Sequence, residues 1–425
     1  MKYIDTPYFH YENDSLKCEE VSLADLAAEY GTPAYVYSKN YFRDRFREFT
    51  EAFSSVNHTI FFAAKSNFNL NVMKIFYDLG SGIDVNSAGE FYRASKIGAD
   101  PKRMLFTGVG KTEDEIKLAL ENDVLVIKAE SFQEIERINE IAKSMDKKAP
   151  LAIRVNPDVD PLTHPYISTG LAENKFGIDA SQAFDVFVES AALSNIDLHG
   201  IDMHIGSQIT SVDPYIESVS KITELIKKLK AAGIDIKHYD LGGGMGITYK
   251  DEKPFSPKDL ADRILPVLSK VDCEIFFEPG RFLTGNGGVL LTKVLYTKSN
   301  RIKNFIVVDA AMTDLLRPSI YNAYHHIQPV AKSAASDITA DIVGPVCESG
   351  DFLAKSRIIP DCGRNEILAV LSAGAYAMVM SSNYNARPRA PEILVDGENH
   401  YLVRSRETYE HLLYDEQILD KLHQH

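Results

Sequence analysis

Short apolar runs alternate with amphipathic segments from about residue 40 to residue 280. Short apolar runs are typical of buried strands, whereas apolar residues spaced three and four apart are typical of helices. The runs that predict strands are 58–65, 82–85, 104–108, 125–129, 151–156, 197–204, 237–241 and 274–278. The segments that predict helices are 69–79, 88–97, 111–122, 131–143, 180–193, 213–232 and 256–271. This alternation predicts an α/β fold of the (β/α)8 TIM-type barrel class, with an open doubly wound sheet as the alternative.

A different pattern begins after residue 285, where short β-like runs follow one another without further strand and helix pairs. These runs cover 288–297, 304–309, 340–344, 367–371 and 393–396, and the stretch 34–37 has the same character. A chain of 425 residues also exceeds what one hydrophobic core usually organises. We therefore expect a barrel domain over residues 36–284. Residues 1–35 and 285–425 should form a mostly β domain that completes the functional site.

The connection at residues 157–174 is long for a compact domain, and it contains prolines, aromatic residues, hydroxyl residues and few charges. Long loops of this kind are usually functional or disordered. We interpret this connection as a lid or a subunit contact, with disorder as the alternative.

Composition and charge argue against several classes of protein. The net charge is −14 without a block of like charge, which argues against nucleic acid or an anionic membrane as the main partner. No apolar run approaches membrane-spanning length and the N-terminus lacks an apolar export segment, so we expect a cytoplasmic protein. The cysteines lack the spacing of metal ligands, which predicts free thiols and no metal site; they are Cys18, Cys273, Cys347 and Cys362.

Lys65 ends the first apolar run of the predicted barrel and is followed by polar residues. Burying an ammonium without a partner is expensive, so a lysine in this position tends to lose its proton. A neutral amine is a nucleophile that can form a Schiff base with a carbonyl or with pyridoxal 5′-phosphate (PLP). The alternative is a lysine that extends to solvent from the strand end and has no chemical role.

Polar residues recur at the carboxyl ends of the predicted strands, where the working residues of such barrels lie. These strand ends carry Lys65, Asp84, Thr107, Glu130, Arg154, Asn156, His204, Asp240, Glu278, Gly280 and Arg281. Residues 242–244, all glycine, expose backbone amides that can bind phosphate. Taken singly, each feature has a simpler explanation as a turn, a salt bridge or a hydrogen-bonded histidine. PLP requires an amine, a phosphate cradle, a carboxylate for its ring nitrogen and a flat group against its ring, and the set supplies all four.

Several separated motifs resemble one known family. They are FFAAKSN, RVNPDVD, HPYISTGLAENKFGI, HIGSQ, DLGGGMGITY, EPGR, DAAMTDLLRPSIYNAYH, CESGD and AGAYAMVMSSNYNARPR, and the similarity runs from about residue 30 to residue 400. On these motifs the chain resembles the PLP-dependent decarboxylases with an alanine-racemase-type barrel, and within them the diaminopimelate decarboxylases. Agreement over so many motifs is far more specific than any single motif.

The resemblance implies a role for each matching residue. Lys65 would bind the cofactor aldehyde, Glu278 would contact the ring nitrogen and His204 would stack on the ring. The other implied cofactor residues are Asp84, Ser207, Gly243, Gly244, Gly280, Arg281 and Tyr376. The implied substrate-binding residues are Arg281, Arg317, Tyr321, Glu348 and Tyr376. Cys347 would donate a proton from the neighbouring subunit, which implies a homodimer with shared active sites.

The implied reaction is the decarboxylation of meso-2,6-diaminopimelate to L-lysine and carbon dioxide, the last step of lysine biosynthesis. A substrate with a second amino-acid end needs a fixed cation for its distal carboxylate, and Arg317 supplies one. The alternatives are a decarboxylase of ornithine, lysine or carboxynorspermidine, and a non-catalytic PLP-binding relative. Residues that depart from the family pattern flank the implied ligands without replacing one; they are Ala88, Phe282, Ala311 and Thr313.

Overall fold

Two compact units make up the described part of the chain. The computed structural model describes residues 1–161 and 175–419. The barrel unit contains residues 39–161, 175–287 and 374–379, and the β unit contains residues 1–38, 288–373 and 380–419. Most of the connection that we interpret as a lid or subunit contact, residues 162–174, lies outside the described residues. In the described ranges, no helix is both long and apolar enough to cross a membrane.

The chain begins with a small antiparallel sheet, a helix and a strand of the β unit. These elements are β1 (Phe9–Glu12), β2 (Ser15–Cys18), β3 (Val21–Ser22), α1 (Leu23–Tyr30) and β4 (Ala34–Ser38). Helix α1 begins after Ser22 because the Ser22 hydroxyl accepts a hydrogen bond from the amide of Asp25. The predicted strand at 34–37 is present as β4, so this prediction is confirmed.

The barrel unit contains eight parallel strands that close into a ring. Its strands are β5 (His58–Ala63), β6 (Gly82–Val85), β7 (Met104–Phe106), β8 (Val126–Ala129), β9 (Ala149–Asn156), β10 (Ile178–Asp179), β11 (Ile196–Asp202), β12 (His238–Asp240) and β13 (Glu274–Phe277). All except β10 follow one another around the ring in chain order, and the ring closes where β13 pairs with β5. Every predicted strand is present, so the barrel prediction is confirmed and the open sheet is wrong.

Helices connect these strands and begin where the sequence supplies caps. They are α2 (Lys39–Ala52), α3 (Leu70–Asp78), α4 (Ala88–Lys96), α5 (Glu113–Glu121), α6 (Phe132–Ser144), α7 (Ala180–Ala191), α8 (Asp213–Ala231), α9 (Pro257–Leu268) and α10 (Arg281–Thr284). Thr112 and Glu115 form a capping box on α5, and Ser256 and Asp259 form one on α9. Helix α8 has a proline in its first turn and is followed by Gly233 at φ 83°, a conformation that ends helices.

The β unit is built on a nine-stranded mixed sheet. Its later elements are β14 (Gly288–Ser299), β15 (Asn304–Val308), α11 (Arg317–Tyr321), β16 (Ile327–Pro329), β17 (Asp337–Val343), β18 (Phe352–Pro360), β19 (Ile367–Val370), β20 (Glu392–Asp396), β21 (Asn399–Arg404) and α12 (Tyr409–Leu413). The main path across the sheet is β18, β17, β15, β14, β4, β20 and β21, while β19 pairs with β14 and β16. The mostly β character is confirmed, although β16, β18 and β21 lie outside the predicted runs.

Candidate active site

An apolar layer fills the interior of the barrel. One buried cluster joins five strands through Phe61, Leu105, Val126, Ala152 and Phe276. Gly82 completes this layer, because a Cβ at that position would come within 2.4 Å of the Phe61 ring. The layer makes the barrel a packed core rather than a pore.

A polar layer follows the apolar one along the strands. Side chains alternate along a strand, so residues two positions after the apolar layer point into the same interior. The residues at these positions, or at the corresponding ends of β11 and β12, are buried and mostly charged; they are Ala63, Asp84, Thr107, Lys128, Arg154, Asp202, Asp240 and Glu278. Buried charge is therefore concentrated at the carboxyl ends of the barrel strands.

Lys65 lies in a short 3-10 turn, Ala64–Ser66, directly after β5. Its Nζ is 3.4 Å from Oδ2 of Asp84, and its side chain is 35% exposed. Burial lowers the pKa of Lys65, but the carboxylates of Asp84 and Glu278 outweigh burial and raise the pKa above its ordinary value. The expectation of a neutral amine is therefore wrong, because acids on neighbouring strands hold Lys65 in its ammonium form.

The sequence interpretation missed Lys128, which lies on β8 and is 1% exposed. Its Nζ donates to Oδ1 of Asp202 at 2.8 Å, to Oδ2 of Asp240 at 2.6 Å and to Oε1 of Glu278. Burial lowers the pKa of Lys128, but these carboxylates raise it well above its ordinary value, so the ammonium persists. Strand alternation could have identified Lys128, because it stands two residues after Val126 of the apolar layer.

His204 follows β11 and contacts the glycine segment that follows β12. The amide of Gly243 donates to Nδ1 of His204 at 3.1 Å. Burial, followed by the charges of Arg154 and Lys65, holds the pKa of His204 well below its ordinary value. His204 is therefore a neutral flat ring that carries its proton on Nε2. At Gly243 and Gly244 a Cβ would collide with backbone atoms, so only glycine fits.

Arg281 follows β13 and opens the short helix α10. Its Nη2 donates to Oγ of Ser207 at 2.9 Å, and its Nη1 donates to the hydroxyl of Tyr249. Its Nε is buried and has no hydrogen-bond partner among the described residues. The preceding residue, Gly280, lets the backbone pack closely against Ser66, because a Cβ at position 280 would come within 2.9 Å of the Cβ of Ser66. A buried guanidinium with an unpaired N–H is a donor for an anionic group.

Tyr376 lies in the segment 374–379 of the barrel unit. Its backbone has φ 54°, and such a conformation costs an aromatic residue on the order of 1–3 kcal/mol. Its amide donates to the carbonyl oxygen of Ser66 at 2.9 Å, and the guanidinium of Arg281 lies 4.8 Å from the centre of its ring. The strained conformation therefore holds Tyr376 between the turn that carries Lys65 and the side chain of Arg281.

Arg317 and Tyr321 lie one turn apart on α11 in the β unit. Nη1 of Arg317 donates to Nε2 of His325 at 2.9 Å, and Nδ1 of His325 donates to the carbonyl oxygen of Leu371 at 2.9 Å. A guanidinium has no acceptor, so His325 must accept through Nε2, which fixes its tautomer. The side chains of Arg317 and His325 are both buried.

Cys347 and Glu348 lie in an exposed turn of the β unit. The amide of Cys347 donates to Oδ1 of Asn385 at 2.8 Å. Oγ of Ser319 on α11 donates to the carbonyl oxygen of Gly350 at 2.6 Å, so this turn packs against α11. Cys347 is exposed, and all four cysteines are free, as predicted.

The predicted site residues divide between the two units. The barrel unit contains all ten predicted cofactor residues. Nine lie at the carboxyl ends of its strands or in the segments that follow them, and the tenth, Tyr376, lies in the segment 374–379 and bonds to Ser66; the nine are Lys65, Asp84, His204, Ser207, Gly243, Gly244, Glu278, Gly280 and Arg281. The β unit holds Arg317, Tyr321, Cys347 and Glu348. The barrel set fits PLP, since it offers an amine, a carboxylate, a neutral flat ring and a buried guanidinium whose Nε has no partner within residues 1–161 and 175–419.

Comparison with known proteins agrees with this chemistry. Residues 39–285 match the family model described as the pyridoxal-dependent decarboxylase, pyridoxal binding domain. A diaminopimelate decarboxylase of Aquifex aeolicus is 49% identical over 408 residues, which cover 96% of this chain and 97% of the relative. The chain belongs to the diaminopimelate decarboxylase family. It is a PLP-dependent decarboxylase.

Solved structures of other diaminopimelate decarboxylases have the same fold. The Helicobacter pylori enzyme, in complex with L-lysine, is 39% identical with a TM-score of 0.89, over 92% of this chain and 98% of that chain. The enzyme of M. jannaschii, also in complex with L-lysine, is 34% identical with a TM-score of 0.92, over 97% of this chain and 98% of that chain. This member of the diaminopimelate decarboxylase family therefore shares its fold with both of these enzymes.

Proposed function

We propose that this chain decarboxylates meso-2,6-diaminopimelate to L-lysine and carbon dioxide, the last step of lysine biosynthesis. One observation carries the proposal: Lys65, Glu278 and Arg281 lie with the neutral ring of His204 at one end of the barrel. The substrate assignment is supported by a nearly full-length relative named diaminopimelate decarboxylase and by two neighbours that bind L-lysine.

Lys65 binds the aldehyde of PLP in this proposal, and it must first lose the proton of its ammonium. Asp84 is the acceptor within reach, since its Oδ2 lies 3.4 Å from Nζ of Lys65. Burial, followed by the negative charge of Glu278, raises the pKa of Asp84, which makes this carboxylate a better base. Asp84 therefore prepares Lys65 for its reaction with the cofactor.

The other barrel residues hold PLP and tune it. When bound there, PLP would supply an electron sink for the pair of electrons that remains when the substrate carboxylate departs as carbon dioxide. Glu278 keeps the ring nitrogen protonated, and His204 covers one face of the ring. The phosphate is held by Ser207, Gly243, Gly244, Gly280 and Arg281. Arg281 and Tyr376 also contact the substrate.

Arg317 binds the distal carboxylate of the substrate in this proposal. A guanidinium recognises a carboxylate through two parallel hydrogen bonds, and Arg317 is pre-oriented for this by its bond to His325. Tyr321, one turn along α11, and Glu348 complete the substrate contacts. A decarboxylase of ornithine would instead need an acid to bind a distal amine.

Cys347 returns a proton to substrate bound by the neighbouring subunit, so the enzyme works as a homodimer with shared active sites. The exposure of Cys347 on the β unit supports this assignment. In this proposal the domain of residues 36–284 binds PLP, and the domain formed by residues 1–35 and 285–425 completes the site. The cytoplasmic location stays a prediction.

A carbon dioxide assay tests the proposed function. The full chain is incubated with added PLP and, separately, with meso-diaminopimelate, ornithine, lysine or arginine. We expect release from meso-diaminopimelate alone, and none from Lys65→Ala with any substrate. Faster release from ornithine or lysine would contradict the substrate assignment. Tight PLP binding without release from any substrate would identify a non-catalytic relative.

A further inference from the structure

Lys128 has no role in the proposed mechanism, although its Nζ contacts the carboxylate of Glu278 directly. Inside the barrel, carboxylate oxygens of Asp202, Asp240 and Glu278 lie within 4.8 Å of one another. The ammonium of Lys128 lies among them, at 2.8 Å from Asp202 and 2.6 Å from Asp240. The chain itself therefore supplies the cation that these buried acids require.

The charge of Lys128 offsets the repulsion among these acids. Carboxylates that lie this close in the interior repel one another, and the ammonium between them compensates that repulsion. The pKa of Asp240 is already raised well above its ordinary value, by burial and then by the charge of Glu278. Loss of the ammonium would add to this repulsion and would remove the contact that holds the carboxylate of Glu278 in place.

The contact also orients Glu278. Lys128 binds Oε1 of Glu278, while Oε2 has no hydrogen-bond partner in the described part of the chain. The backbone amide of Glu278 donates to the carbonyl oxygen of Gly242 at 2.7 Å, which fixes the end of β13. The backbone and one carboxylate oxygen of Glu278 are thus held, and the second oxygen is left for a ligand.

We propose that Lys128 is a positioning residue that holds Oε1 of Glu278 from inside the barrel, so that Oε2 faces the ring nitrogen of PLP. Asp202 and Asp240 are its counter-charges. This inference rests on the proposed function, because it gives Lys128 a task in the same site. It deepens that function by adding a residue that touches neither substrate nor cofactor.

Lys128→Met tests the inference, because it removes the ammonium and keeps an unbranched side chain. The readouts are the dissociation constant of PLP, from equilibrium dialysis of the full chain, and the pH titration of the absorbance of bound PLP. We expect PLP binding to weaken roughly 10- to 100-fold, as for loss of a buried bond to a charged group, and the titration to shift. Lys147→Met is the control, since this lysine of the same unit pairs with Asp123 at 2.9 Å and contacts none of these acids.

A second variant covers the case in which Lys128→Met does not fold. In the wild type, the ammonium of Lys128 and its three acids have a formal sum of −2, and Arg154 lies beside them at 3.8 Å from Asp202. The double variant Lys128→Met with Asp202→Asn contains no cation and two acids, which also sum to −2. Folding should then be retained, but PLP should still bind weakly because nothing holds Oε1 of Glu278.

A double-mutant cycle with Glu278→Gln separates positioning from a merely structural role. Lys128→Met should cause no further loss of PLP affinity when Glu278 is already replaced. Wild-type affinity in the charge-matched double variant, or an equal loss in the Glu278→Gln background, would overturn the inference. If Glu278→Gln alone binds PLP normally, the inference and the role of Glu278 both fail. Normal PLP binding without carbon dioxide release from meso-diaminopimelate contradicts the proposed function alone.

Discussion

Replacement of His325 should weaken substrate binding more than it slows turnover. His325 lies between Nη1 of Arg317 and the carbonyl oxygen of Leu371, with hydrogen bonds of 2.9 Å on both sides. Both side chains of the pair are buried, so water does not readily replace a lost partner. The proposed function assigns Arg317 to the distal carboxylate of the substrate. Misplacement of Arg317 should therefore appear in KM.

Two isosteric variants test which bond of His325 matters. The amide of His325→Asn reaches about as far as Nδ1 and can still donate to Leu371, but it removes the Nε2 acceptor that Nη1 of Arg317 uses. The amide of His325→Gln reaches about as far as Nε2 and can offer Arg317 an oxygen. A buried hydrogen bond to a charged group contributes about 2 kcal/mol. This corresponds to roughly a 30-fold change in a binding constant, which we expect as the rise in KM for His325→Asn.

Steady-state release of carbon dioxide from meso-diaminopimelate measures both constants. We expect kcat to change little in either variant and KM to rise much less in His325→Gln. L-Lysine keeps the distal carboxylate, so its inhibition constant should rise in parallel with KM. His326→Asn is the control, because Nδ1 of His326 contacts the hydroxyl of Tyr324 at 3.3 Å instead. An unchanged KM in a folded His325→Asn variant would refute the reasoning.

Two further predictions concern the β unit. Burial raises the pKa of Asp314 from 3.8 in the unfolded chain to about 6 in the folded protein. The folded protein therefore binds this proton more tightly, and the free energy of unfolding falls as pH rises from 4 to 6. Asp314→Asn should remove about 3 kcal/mol of this pH dependence. Urea unfolding of wild type and variant at pH 4, 5, 6 and 7 measures it. A difference in the free energy of unfolding that stays constant with pH would contradict the assignment. Cys347→Ala should lower kcat by on the order of 100-fold, as for loss of a general acid, with PLP affinity unchanged; a kcat within twofold of wild type would remove Cys347 from the mechanism.

The barrel could be predicted because its strands are buried on both faces. Such strands are continuous apolar runs, and several here are followed by helices that begin with a capping box or another side-chain cap. The β unit gave a weaker signal. Strand β18 carries Lys355 and Arg357 and lies at one edge of its sheet, while β21 lies at the other edge, so neither is an apolar run.

The chemistry of the site was harder to predict than its location. Lys65 was identified from its own strand, but its protonation depends on Asp84 and Glu278, which belong to other strands. Lys128 was missed because the prediction considered only the residue at the end of each strand, which for this strand is Glu130. Only the alternation of side chains, read together over all strands, places Lys128 in the polar layer. Charge states and contacts between strands depend on register, which a single sequence does not provide.

The covalent attachment of PLP to Lys65 is the central claim, and reductive trapping tests it most directly. Borohydride treatment of the full chain with bound PLP fixes the cofactor to the amine that holds it, and peptide mass mapping then locates that amine. We expect the reduced cofactor on the peptide that contains Lys65, and on no other peptide. Its recovery on Lys128, on Lys111 or on surface lysines, with Lys65 unmodified, would contradict the account.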